Sequence, residues 1–184
     1  MIGLLLTMFG VFTIAVLLLS SISFAASQYP ETLEGGNWVL VSGHMGVGMY
    51  ADLSSVTVQQ YEPPFYQIAI NVVSATFSDD YFRQHKTYKE SDYSLSRTRL
   101  YQFCYNWNEK SIAWYSDRTS SWKDWDINRD NSFADGQPLI PNTAEAAFVA
   151  AYNMRFFDDT EGYSPALKRS HRVIDEEFYE RLGI

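Results

Sequence analysis

The sequence predicts an α+β fold, an antiparallel β-sheet of about five or six strands with a C-terminal helix packed on one face. Three observations support this prediction. Strand-forming segments follow one another between residues 38 and 125, and residues 99–107 alternate in the two-residue period of a half-buried strand. Helical signals begin only after residue 138. Strands followed by a helix are typical of an antiparallel sheet covered on one side.

An uncharged apolar stretch opens the chain. Residues 2–19 carry no charge, and Ser23 and Ala25 place small side chains where a signal peptidase requires them. We therefore expect residues 1–25 to be a signal peptide, and the remainder to be exported to the periplasm, the cell surface or the medium. Since no Lys or Arg precedes the stretch and its length reaches that of a membrane helix, an uncleaved anchor through residues 2–19 is the alternative.

The exported part divides into three segments by composition. Residues 26–36 form a polar leader that ends in two glycines, and ordered structure is expected to begin at Asn37. Residues 37–160 hold the α+β domain. Residues 161–184 form a C-terminal tail in which Ser170 is a candidate cap for a short helix.

Six segments of strand-forming residues are visible. Residues 79–97 are polar with scattered aromatics, and we interpret them as a long loop between two strands. In residues 99–107, Phe103 and Tyr105 belong to the face opposite Cys104. The predicted strand segments are residues 38–41, 49–58, 65–77, a hairpin of 99–107 with 111–116, and 119–125 as a further strand or extended edge.

The single strong helical pattern lies between Asn142 and Phe157. Asn142 followed by Glu145 three residues later is a variant of the capping box, in which both side chains bind free amides of the first turn. Apolar residues then recur at helical spacing, so one face of this helix should lie on the sheet.

Charge and cysteine content exclude several classes of function. The net charge is −8, and the first basic residue is Arg83, which argues against binding to nucleic acid or to an anionic membrane surface. Cys104 is the only cysteine and cannot form an intramolecular disulfide. We interpret it as a small buried residue of a strand, with a reactive thiol or a disulfide-linked homodimer as the alternatives.

One acidic segment has part of the pattern of a calcium loop. An EF-hand loop also needs a glycine at its sixth position and a bidentate glutamate at its twelfth, where this chain has Asn131 and Gln137. A polar loop with Asx turns is therefore the favoured interpretation, and no metal, cofactor or catalytic group is expected. The candidate calcium ligands are Asp126, Asn128, Asp130 and Ser132.

Aromatic residues make up 16% of the chain. Most of them are expected to fill the core and brace the sheet, as in other strand-rich domains. Trp122 and Trp125 differ because they stand in a polar segment. We predict that both are exposed and form the ligand or partner surface.

The first strands also carry a recognisable motif. A tryptophan strand, a glycine-rich turn and a Tyr-x-Asp-x-x-Ser-Val element resemble the opening of the surface-adhesin protein E-like family of small exported bacterial proteins. The resemblance covers residues 38–157. The residues that carry it are Trp38, Val41, Tyr50, Asp52, Ser55 and Val56.

The resemblance implies an antiparallel sheet with a C-terminal helix and a non-catalytic role at the cell surface or in the periplasm, with a homodimer as one option. This chain differs from the family in two respects, which limit how far the resemblance can be applied. The helix of the type member is tied to its sheet by a disulfide, whereas this chain has only Cys104. The basic segments that could bind acidic host ligands have no counterpart here.

From these features we expect an exported, non-catalytic binding or structural protein of the bacterial envelope or cell surface, with a protein or glycan partner. Two alternatives stay open. One is a periplasmic or secreted hydrolase whose site is assembled only by the fold. The other is an envelope protein anchored in the membrane through residues 2–19.

The cleavage prediction can be tested by N-terminal sequencing of the exported protein. We expect the first residue to be Ala26, because cleavage follows the small side chains of Ser23 and Ala25. A chain recovered with Met1 in place would instead identify residues 2–19 as an anchor.

Overall fold

The computed structural model of this chain describes residues 28–89, 92–126, 139–164 and 168–184. The predicted signal peptide, residues 1–25, lies outside them, and so do Asn128, Asp130 and Ser132 of the calcium candidate. Within the described ranges, no helix has the length and apolar character that a membrane span requires.

Seven antiparallel strands form one sheet. Strands β1, β2, β3, β5, β6 and β7 are neighbours in that order, and β4 pairs with the end of β3 that β5 leaves free. The antiparallel α+β architecture is therefore confirmed, with one strand more than expected. The strands are β1 (Trp38–His44), β2 (Val47–Glu62), β3 (Phe65–Phe77), β4 (Tyr93–Leu95), β5 (Arg99–Asn106), β6 (Ser111–Ser116) and β7 (Ser121–Trp125).

Three helices and a small hairpin complete the described residues. The helices are α1 (Asp79–His85), α2 (Leu139–Tyr152) and α3 (Glu176–Leu182), and the hairpin consists of β8 (Glu161–Ser164) and β9 (Arg169–Arg172). The prediction of a loop over residues 79–97 is wrong, because α1 and β4 both lie there. The tail helix also begins later than expected, since Ser170 belongs to β9.

Strand β2 is longer than the sequence suggested. Its pairing with β3 shifts register between Asp52 and Thr57, where a bulge takes up the extra residues. Asp52 accepts a hydrogen bond from the amide of Ser54 at 3.0 Å, and the Ser55 hydroxyl accepts one from the amide of Asn71 at 2.9 Å. The Asp and Ser of the adhesin-like motif thus satisfy backbone groups that the bulge leaves unpaired.

The main core lies between the sheet and α2, which packs on β1, β2 and β3. Apolar residues that follow α2, including Phe156 and Phe157, enter the same core. So do Val173, Phe178 and Tyr179 from the C-terminal residues. The segment predicted as a tail therefore closes the core.

A second core covers the opposite face of β1, β2 and β3. Tyr29 and Leu33 of the leader pack there with Tyr50 and Tyr88. The Tyr29 hydroxyl accepts a hydrogen bond from the amide of Gly46 at 3.0 Å, and its ring stacks on Tyr88 at 5.1 Å between centroids. The expectation that ordered structure begins at Asn37 is wrong, because this face of the sheet needs an apolar cover that the leader provides.

The start of α2 also differs from the prediction. The helix begins at Leu139, and Pro141 occupies its first turn, where a missing amide costs no hydrogen bond. Asn142 is buried inside the helix, and its Nδ2 donates to the carbonyl of Val41 at 2.9 Å. Asn142 and Glu145 therefore join α2 to other segments, and the predicted capping box is wrong.

The leader's contribution can be measured by replacing Leu33, whose residue exposure is 4%. We expect Leu33→Ala to lower the free energy of unfolding by about 2–4 kcal/mol, because it empties a packed site. Urea unfolding followed by tryptophan fluorescence measures this. The control is Glu34→Ala at the exposed neighbouring position, and equal stability of the two variants would refute a structural role for the leader.

Candidate functional site

The two tryptophans predicted to form a partner surface lie on opposite faces of β7. Trp122 is 42% exposed and contacts Tyr115 of β6 edge to face at 5.7 Å. Trp125 is 7% exposed and packs against Phe157 in the main core. Exposure is confirmed for Trp122 and wrong for Trp125, since residues three apart along a strand point to opposite sides.

A groove opens at the end of the sheet where β5 begins and β6 turns into β7. We call it the distal groove. Its volume is about 290 Å³, and a broader depression of about 900 Å³ adjoins it and includes Arg97. The two share Arg99, Leu100 and Asp117 as lining residues. The residues of the distal groove used below are Arg99, Tyr101, Trp114, Asp117, Arg118 and Lys123.

Strand alternation places the aromatic rings of this groove. Tyr101 follows Arg99 by two residues on β5, so both point to the same face. Trp114 is the cross-strand partner of Phe103, and Lys123 is the cross-strand partner of Trp114. The Lys123 Nζ lies 5.9 Å from the centre of the Trp114 ring. Both rings are half-buried, so each rests on the core and keeps some surface open.

Four exposed cations line the groove and the adjoining depression. None of them forms an ion pair within 4.0 Å with another residue of the described ranges. By contrast, Arg155 pairs with Glu176 at 2.7 Å. Like charges held together without close ion pairs raise the energy of the folded protein and attract anions. The four cations are Arg97, Arg99, Arg118 and Lys123.

One acidic side chain, Asp117, stands among these cations. Burial raises the pKa of the Tyr101 hydroxyl, whereas the Arg99 charge lowers it and the Asp117 charge raises it. Arg99 and Asp117 therefore both act on the same ring. The groove combines positive donors, a negative acceptor and aromatic faces.

The sequence interpretation missed this cluster because its members come from separate segments. Arg97 and Arg99 precede and begin β5, Arg118 lies in the turn after β6, and Lys123 is in β7. Only the antiparallel pairing of β5, β6 and β7 brings them together. Two arginines two residues apart before a predicted strand are the signal that could have indicated a basic face.

A buried carboxyl group is found at the other end of β5 and β6. Glu145 of α2 has no exposed surface, and its two oxygens accept the amides of Phe156 and Phe157 at 2.7 and 3.1 Å. Burial raises its pKa to about 7, although the Tyr179 hydroxyl, those two amides and the charge of Lys110 oppose the increase.

Lys110, in the turn between β5 and β6, completes this arrangement. Its Nζ donates to the carbonyl of Phe156 at 2.7 Å and lies 3.3 Å from the centre of the Trp107 ring. Burial lowers the pKa of Lys110, and the negative charge of Glu145 raises it. These contacts hold the segment after α2 against the sheet.

The remaining candidates give no site within the described residues. No group of three or more His, Cys, Asp or Glu side chains there is arranged to hold a metal ion. Asp126, the one described member of the calcium candidate, is exposed. Cys104 lies on β5 as expected, half-buried, and burial raises the pKa of its thiol, which disfavours the reactive thiolate.

Comparison of the chain with protein-family models, with curated proteins and with solved structures found no match. The similarity to the adhesin E-like family therefore remains an inference from the motif.

The raised pKa of Glu145 predicts a pH-dependent stability. A carboxyl whose pKa is 4.5 when free and about 7 when folded stabilises the fold most below pH 4.5 and loses that contribution as the pH rises through 7. Relative to Glu145→Gln, which cannot ionise, the free energy of unfolding of the wild type should fall by on the order of 3 kcal/mol between pH 4.5 and pH 8.

Urea unfolding at a series of pH values measures this difference. Glu161→Gln, at an exposed position in β8, controls for the removal of one carboxyl group. A difference between the wild type and Glu145→Gln that stays constant with pH would show that Glu145 keeps an ordinary pKa.

Proposed function

We propose that this chain is an exported, non-catalytic binding protein of the bacterial envelope or cell surface that contacts a protein or glycan through the distal groove. The observation that supports this most directly is the composition of the groove. Half-buried Tyr101 and Trp114 stand beside Arg99, Arg118 and Lys123, three exposed cations without ion pairs among the described residues.

The energetic argument rests on which side chains make good binding surfaces. Tyr, Trp and Arg are the residues that most often dominate binding energy, because they combine large contact area with directed donors. Tyr101 and Trp114 are already fixed by their contacts with the core, so binding immobilises little that was free. The signal peptide predicted for residues 1–25 supports export, and so does the resemblance to a family of exported proteins.

A hydrolase is the alternative that shares the export signal. It would need a titratable or nucleophilic group that reaches a cleft. Burial raises the pKa of the Glu145 carboxyl, but its oxygens are directed at the amides of Phe156 and Phe157. This geometry favours a structural role for Glu145, and no other observation favours a hydrolase.

A membrane anchor is compatible with the same binding role. The carbonyl of Gln28 already accepts a hydrogen bond from the amide of Tyr88 at 2.8 Å. If residues 2–19 span a membrane, only residues 20–27 would separate the span from the fold, which is at most about 28 Å of extended chain. An uncleaved protein would therefore be held within about 28 Å of the membrane at Gln28.

The proposal is tested by binding of the exported protein to a glycan array and to a panel of purified envelope and host-surface proteins. The groove variant is Arg99→Gln, Arg118→Gln, Lys123→Gln, three exposed positions. We expect the groove variant to lower the affinity for at least one partner by about tenfold or more. A tenfold change corresponds to about 1.4 kcal/mol, and each charge-assisted contact contributes about 1 kcal/mol or more.

The matched control is Arg83→Gln, Lys168→Gln, Arg169→Gln, which removes the same charge from exposed positions outside the groove. It should bind as the wild type does. A partner lost equally in both variants would indicate a non-specific charge effect, and the absence of any partner would refute the proposal. Trp122→Ala, measured in parallel, reports whether the opposite face of β7 contributes.

A further inference from the structure

We propose that the ligand of the distal groove is a carboxylate-bearing polysaccharide, bound by arginine–carboxylate pairs and by stacking of sugar rings on the aromatic side chains. This inference rests on the proposed binding function and specifies its ligand.

The cations indicate the charge of the ligand. Arg97, Arg99 and Arg118 each offer a planar guanidinium that can bind a carboxylate with two parallel hydrogen bonds. Elsewhere on the described surface, Arg172 pairs with Asp159 at 2.7 Å and Arg155 pairs with Glu176 at 2.7 Å. The arginines of the groove have no such partner among the described residues, so an external carboxylate is the group they fit.

The size of the groove and its adjoining depression indicates a ligand longer than a single small anion. The groove and the adjoining depression, about 290 and 900 Å³, form one continuous surface because they share Arg99, Leu100 and Asp117. Cations line both parts, Arg118 and Lys123 in the groove and Arg97 in the depression. A chain with charges spaced along its length can reach both parts at once.

Asp117 restricts the kind of polyanion. A carboxylate in the middle of the surface repels a densely charged chain such as a nucleic acid or a polyphosphate. It can instead accept hydrogen bonds from hydroxyl groups. A polyuronate carries one carboxylate and two or more hydroxyls on each sugar, and its rings have apolar faces that match Tyr101 and Trp114.

An acidic peptide fits the surface less well. Peptides that bind to sheets usually add a strand to an edge with free amides and carbonyls. In the groove, Arg99 and Tyr101 of β5 are paired with β3, and the pairing of β5 with β6 begins only at Phe103. An added peptide strand would have to enter between β5 and β6, which are already joined at Phe103 and Trp114.

The test uses hexagalacturonate as the probe and measures its affinity for the exported protein by isothermal titration calorimetry. Its fully methyl-esterified form keeps the rings and removes the charge. We expect the ester to bind at least about tenfold more weakly, and the groove variant to lose a similar factor for the acid. The Arg83, Lys168, Arg169 control should bind within about twofold of wild type, and added salt should weaken binding.

Three outcomes would overturn the inference: equal binding of the acid and the ester, undiminished binding by the groove variant, or equally tight binding of hexaglutamate, which would show that charge alone is recognised. The proposed function can survive such a failure. If the groove variant loses another partner in the earlier panel while hexagalacturonate does not bind, the binding role stands and the ligand class is wrong.

Discussion

The structure depends on the two hydrogen bonds that Glu145 accepts from the amides of Phe156 and Phe157. They allow the chain to leave α2 and place both phenylalanine rings in the core, where Phe157 meets Trp125 and Phe156 meets Tyr105. Burial of a carboxyl group opposes folding unless its oxygens are bonded. The fold meets this requirement with backbone amides and a nearby lysine, at the expense of a raised pKa.

The sheet is covered differently in its two halves. Around β1, β2 and β3, α2 covers one face and the leader covers the other. Around β5, β6 and β7, the second face has no such cover among the described residues, and Trp122 is exposed there. The distal groove lies at the end of the same three strands, on the opposite face from Trp122. Its aromatic residues rest on the main core, which holds them in place while part of their surface stays accessible.

Local patterns predicted local structure well. The alternation in residues 99–107 gave the correct faces of β5, with Phe103 and Tyr105 buried, because side-chain direction in a strand depends only on position parity. The same rule, applied to Trp122 and Trp125, would have placed them on opposite faces. Asn142 and Glu145 matched a capping box, but their partners are backbone groups of distant segments, 101 residues away for Val41. No local pattern encodes such a contact, and the basic groove was missed for the same reason.

The basic groove lies on an acidic chain, and this affects which anionic polymers can bind. At physiological ionic strength, charges further than about 8 Å apart are largely screened, so a ligand in the groove responds mainly to Arg99, Arg118 and Lys123. The parts of a long polyanion outside the groove meet a protein whose net charge is −8. Repulsion there grows with the charge density of the polymer. A chain with widely spaced carboxylates loses least to this repulsion and still gains the arginine pairs, so the acidic surface itself favours sparsely charged ligands over dense ones.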